Sequence, residues 1–123
     1  MHRIRTEQER AVVVLVAEGE FDAYTAPELH EALEEARPGD SPLVVELSRV
    51  SFMDSTALGL LVRAVKDVRE RGGDIRVVLP STTARRIFEI TTLDRVLPVA
   101  VSRSAAVAEL SAPDDVSGAA APL

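Results

Sequence analysis

The chain has no cysteine and no tryptophan, one tyrosine, three phenylalanines, two histidines and a single lysine among 123 residues. Without cysteine there is neither a disulfide framework nor a thiolate metal site. His2 and His30 alone do not make a His-rich metal centre, and Lys66 alone leaves little room for amine chemistry. No apolar run approaches the ~20 residues that span a bilayer. The opening MHRIRTEQER is too polar for a signal peptide. The expectation is a soluble cytoplasmic protein that makes no contact with a membrane. A net charge of −6 argues against direct nucleic-acid binding, which normally shows a basic excess. The chain contains no G-x-S-x-G elbow for a Ser-His-Asp hydrolase, and His30 falls on a polar helix face as a solvated residue. It contains neither G-x-x-x-x-G-K-[ST] nor G-x-G-x-x-G, so a nucleotide-binding module lacks its phosphate loop.

What the chain does have is one domain's worth of alternating elements, with no internal repeat. Residues 11–18, AVVVLVAE, and 43–47, LVVEL, are short and rich in β-branched residues, which predicts strands buried on both faces. Residues 75–79, IRVVL, closed by Pro80, read as the next strand. Residues 3–6 are expected to pair with the first of these as an outer strand, with 7–10 as the turn. Thr25-Ala26-Pro27-Glu28 has the form of a capping box, followed by an amphipathic helix over 26–37 that Pro38-Gly39-Asp40 stops. Residues 48–54 read as a short connection anchored by Phe52 and Met53. A long helix is predicted over 55–71, with Leu58, Leu61, Val62, Val65 and Val68 in one stripe and Gly72-Gly73 at its end. Ser81 or Thr82 caps a short helix carrying Ala84, Ile87 and Phe88. A last strand is predicted at 96–101, and Ser102 caps a helix ending at Leu110. Residues 111–123, SAPDDVSGAAAPL, carry no periodicity and read as a disordered tail. The order β, β, α, β, α, β, α, β, α implies an α/β sheet with crossover helices. Its functional loops belong at the carboxyl ends of the strands, which singles out 19–25 and 50–55.

The stretch Phe52-Met53-Asp54-Ser55-Thr56-Ala57-Leu58-Gly59 is the most informative. It delivers a hydroxyl, Ser55, to the first turn of a long helix, where unpaired N–H groups and the positive end of the dipole favour an anion. The plain structural reading is that Asp54 or Ser55 is only an N-cap. The stretch resembles the signature of bacterial anti-sigma-factor antagonists, the single-domain STAS proteins: an apolar pair, then Asp-Ser-Ser/Thr-Gly-Leu-Gly at the start of the second helix. Gly19-Glu20-Phe21-Asp22 resembles the family's Gly-Glu-Leu-Asp. Gly72-Gly73 and the basic-apolar helix Arg85-Arg86-Ile87-Phe88-Glu89-Ile90 also agree, and the resemblance runs over about 12–110. In one departure, Ala57 stands where the family usually has Gly, adding a methyl beside the phosphoacceptor.

The resemblance implies a STAS-type mixed β-sheet of about four to five strands, with helices mainly on one face, over residues 1–110. It implies that Ser55 is the phosphoacceptor, Thr56 a second hydroxyl beside it, and Asp54 and Asp22 acids of the same surface. For Asp22, turn capping is the alternative. The partner surface it implies comprises Asp22, Phe52, Met53, Asp54, Thr56, Ala57 and Gly59, with no catalytic residue, metal or cofactor. The function it implies is that of an anti-anti-sigma factor. Unphosphorylated, such a protein binds an anti-sigma factor that is also a serine kinase and so frees a sigma factor; a serine phosphatase resets it. The alternative is a STAS-type accessory subunit of a membrane lipid or anion transporter. A phosphoaspartate receiver would explain Asp54 after a strand, but receivers carry a late-strand Lys, and Lys66 lies mid-helix. Arg85-Arg86 reads as a solvated helix face.

Overall fold

The structure is a computed structural model that describes residues 1–36 and 41–119, the side chains of 112–119 excepted. Five strands form one sheet in sequential order: β1 (His2–Glu9), β2 (Val12–Phe21), β3 (Leu43–Met53), β4 (Ile75–Val78) and β5 (Val99–Ala100). β1 is antiparallel to β2, and every later pair is parallel. Parallel neighbours in sequential order need crossovers of one hand, which sends all the connecting helices to the same face. These are α1 (Ala26–Glu35), α2 (Ser55–Glu70), α3 (Arg85–Ile90) and the single turn α4 (Leu93–Val96). The last helix, α5 (Arg103–Ala119), follows the final strand and covers the opposite face.

Strand alternation sorts the apolar residues into two cores. Leu15, Ala17, Val45, Leu47 and Val77 meet α1 and α2 through Leu29, Leu33, Leu61 and Val65. Val12, Val14, Val16, Val44 and Val78 meet Ala106, Val107 and Leu110 of α5. The two strands expected to be buried, β2 and β3, are therefore covered on both faces, and so is β4.

Several boundaries differ from the sequence expectation. β1 runs to Glu9, and only Arg10 and Ala11 separate it from β2, with Arg10 at φ 58°. Of the expected turn at 7–10, residues 7–9 are strand, paired with Val12, Val13 and Val14 of β2, and Arg103 at the start of α5 meets Glu7 at 2.8 Å and Glu9 at 2.9 Å. β3 continues through the expected connection 48–54 as far as Met53. β3 bulges opposite Gly19 and keeps pairing with β2, with Glu20 opposite Phe52 and Phe21 opposite Met53. Gly19 sits at φ 95°, and a Cβ there would run into the Met1 carbonyl, which accepts from Glu20 N–H at 3.0 Å. The strand expected at 96–101 is only Val99–Ala100, because Leu93–Val96 closes a helical turn first.

The capping box of α1 does not form: Thr25 makes no side-chain cap. Its hydroxyl turns back to accept from Asp22 N–H at 2.9 Å. His30, expected on a solvated face, is half-buried. The expected Pro-Gly-Asp stop after α1 lies in residues 37–40, outside the described residues. At the far end of α2 the glycine stop holds: Gly72 is at φ 82°, and Gly73 N–H returns to the Val68 carbonyl at 2.9 Å. Ser102 caps α5 as expected, accepting from Ala105 N–H at 3.1 Å. α5 itself runs on to Ala119, into the segment expected to lack order. The absence of an apolar stripe after Leu110 signals a lack of packing, and a helix can continue without it. Residues 120–123 of the expected tail lie outside the described residues.

Candidate functional site

The carboxyl ends of β2 and β3 are fastened together where the two motif loops begin: Asp54 N–H donates to the Phe21 carbonyl at 3.1 Å. From this junction one loop leads into α1 and the other enters α2 directly. Asp54, in an extended conformation, is the N-cap of α2, its Oδ1 accepting from Ala57 N–H at 2.9 Å. That resolves the choice between Asp54 and Ser55 as the cap. The Ser55 hydroxyl is released from capping and stands exposed on the first helical residue, with exposed Thr56 beside it. A helix of 16 residues places the positive end of its dipole at Ser55.

Asp22 organises the neighbouring loop. Its Oδ1 accepts from Tyr24 N–H at 2.9 Å and Thr25 N–H at 3.1 Å, and its carbonyl accepts from Ala26 N–H at 2.8 Å. The hydrogen bonds from Thr25 and then Tyr24 hold its carboxyl below the usual carboxylate range. Asp22 thus does the turn capping foreseen as the alternative, and its half-exposed carboxylate remains part of the acidic rim.

The expected partner-binding residues divide by burial. Asp22 and Asp54 are half-exposed, and Phe52, Thr56 and Gly59 are exposed around Ser55. Met53 and Ala57 belong to the core under α1 and α2 and are not available to a partner. The Ala57 methyl therefore points inward, away from Ser55, and does not add bulk beside the hydroxyl. Gly59, one turn beyond Ser55, has open space where a side chain would be. Two residues were not foreseen. Tyr24, in the Asp22 loop, is 90% exposed, and Ile90, at the end of α3, is 72% exposed. Phe52, 49% exposed, lies on the adjoining end of β3. These three are large side chains left in water. Only the third dimension reveals their exposure. Among the described residues, no group of three His, Asp or Glu side chains is placed to hold a metal, and no helix is long and apolar enough to cross a membrane.

A sequential mixed sheet with its helices largely on one face, and a serine at the start of the second helix, defines a class: the chain belongs to the STAS domain family, whose model matches residues 3–106. The chain is 40% identical over 82 residues to the anti-sigma-B factor antagonist of Listeria monocytogenes, covering 66% of this chain and 72% of that protein. It is 39% identical over 95 residues to the anti-sigma-B factor antagonist of Staphylococcus aureus, covering 76% and 87%. Among solved structures, an anti-sigma factor antagonist from Mycobacterium paratuberculosis superposes with a TM-score of 0.76 at 28% identity, over 89% of this chain and 94% of that one.

Proposed function

We propose that this protein is an anti-sigma factor antagonist, a cytoplasmic binding switch with no catalytic activity of its own, thrown by phosphorylation of Ser55. Unphosphorylated, it binds an anti-sigma factor that is also the serine kinase acting on Ser55, and the sigma factor is released. A serine phosphatase restores the binding form. The relatives named above favour this reading over a transporter accessory subunit.

The observation that carries the proposal is the exposed Ser55 hydroxyl on the first residue of α2, freed from capping by Asp54. A phosphate there adds about −1.5 to −2 charges. The domain tolerates them because the helix N-terminus offsets part of the charge. The partner does not. An interface closed over a neutral hydroxyl, already rimmed by Asp22 and Asp54, meets a desolvated unpaired charge that costs several kcal/mol, and every 1.4 kcal/mol is about tenfold in affinity. Thr56, one residue further along the turn, is the less favoured acceptor.

The test is incubation of the purified protein with its kinase and ATP, followed by peptide mass spectrometry. Phosphate is expected on Ser55. Phosphate on Thr56 with Ser55 unmodified refutes the site, and equal kinase affinity of the modified and unmodified forms refutes the switch.

A further inference from the structure

Beside Ser55 lies a groove that the phosphorylation chemistry does not use. Phe52 forms one wall, over the buried Met53, and Arg86, Ile87 and Ile90 of α3 form the other, around a volume of about 310 Å³. The groove is firmly joined to the Ser55 loop. Ser81 N–H and Oγ both donate to the Ser48 carbonyl, at 3.2 and 2.8 Å, and Thr82 Oγ1 donates to the Val50 carbonyl at 2.5 Å. These bonds pin the segment leading into α3 onto the last residues of β3. Phe52-Met53 run directly into Asp54-Ser55, so a protein closing over Ser55 also closes over the groove.

Its chemistry is specific. Met53 is a buried floor, while Phe52 and Ile90 stand exposed as apolar rims. Of the two arginines on α3, Arg85 is matched by Glu89 at 3.4 Å. Arg86 lines the groove, exposed, and forms no ion pair among the described residues. An apolar slot with an unmatched guanidinium at its edge fits an apolar side chain with a carboxylate close by, which the planar guanidinium binds in bidentate fashion.

We propose that this groove is the second anchor for the protein that reads Ser55. A partner apolar side chain enters between Phe52 and Ile90, and a partner carboxylate reaches Arg86. The inference rests on the reading of Ser55 given above and deepens it. The groove supplies affinity that does not depend on the phosphate, so the kinase can dock on its substrate, and Ser55 decides whether the docked complex persists.

The experiment is calorimetric titration with the kinase that phosphorylates Ser55 in the assay above, comparing parent, Ile90→Asp, Arg86→Glu, Ser55→Asp and a control, Val101→Asp. Val101 is almost fully exposed and lies outside the groove. The altered residues are all exposed, and an unchanged melting midpoint verifies that each variant folds. Ile90→Asp and Arg86→Glu are each expected to weaken binding about tenfold or more, as anchor residues do, while Val101→Asp binds as the parent does. Parent-like binding by Ile90→Asp alongside weak binding by Ser55→Asp overturns the groove and leaves the Ser55 reading standing. Parent-like binding by Arg86→Glu overturns the carboxylate contact. Parent-like binding by Ser55→Asp is instead a failure of the Ser55 reading.

Discussion

The first turn of α2 and its middle obey different rules. From Leu61 to Val68 the inward residues Leu61, Ala64, Val65 and Val68 are buried against the sheet and α1, and each is there to fill space. In the first turn, Ser55, Thr56 and Gly59 are exposed and contribute little to packing, while Asp54 and Ala57 between them cap the helix and close the core. The two motif glycines repeat the contrast. Gly19 is required by the fold: its φ of 95° and the Met1 carbonyl leave no room for a side chain. Gly59 has nothing within reach of an added Cβ, so the fold itself does not ask for glycine there. A residue type that the backbone does not need, on the face that carries the exposed hydroxyl, is one we assign to the surface proposed to meet a partner.

This division breaks first, if it is wrong, in the middle of α2. Leu61→Ala is expected to destabilise by about 2–5 kcal/mol in a denaturant series; a near-neutral result would mean that the helix presents another face to the sheet. Next comes Gly19→Ala, expected to cost about 1–3 kcal/mol from the left-handed backbone alone, measured the same way. Gly59→Ala changes sign. It should stabilise by up to about 1 kcal/mol through helix propensity, yet weaken kinase binding because the new methyl stands on the surface to be covered. A Gly59→Ala protein that is less stable than the parent would erase the contrast with Gly19. The smallest effect is reserved for truncation after Leu110. Among the described side chains, every α5 residue in the second core lies at or before Leu110, so the melting midpoint should stay almost unchanged, and a drop of more than a few degrees would show that the later turns pack on the domain.

The same distinction between space-filling and surface residues explains what was legible in the sequence. Strands β2, β3 and β4 announce themselves because residues such as Val14, Val44 and Val77 are buried whichever face they take. β1 was legible only over 3–6; its continuation through 7–9 was not, and there Arg103 meets Glu7 and Glu9 only after the fold is complete. The polar end of β3 is strand because β3 bulges opposite Gly19 and continues to pair with β2, which no local pattern encodes. Thr25 matches a capping box in type and spacing, but a nearer donor, Asp22 N–H, competes, and the Asp22 turn takes its hydroxyl. At the site, Asp54 and Ser55 were legible because helix starts have local rules. Met53 and Ala57 were drawn in with them because a motif read linearly does not separate the two faces of a helical turn. Tyr24 and Ile90 escaped notice because exposure is a tertiary property.

The central claim is that Ser55 governs partner choice without governing the fold, and Ser55→Asp addresses both halves in one protein. Its melting midpoint and circular dichroism should match the parent, since a carboxylate at the first turn of a helix is tolerated. Its affinity for the anti-sigma kinase should fall, while Ser55→Ala, which adds no charge, should bind as the parent does and accept no phosphate. Asp carries one charge where phosphate carries nearly two, so a partial loss agrees with the account. Parent-like affinity of Ser55→Asp, or a loss of binding that tracks a loss of folding, would contradict it.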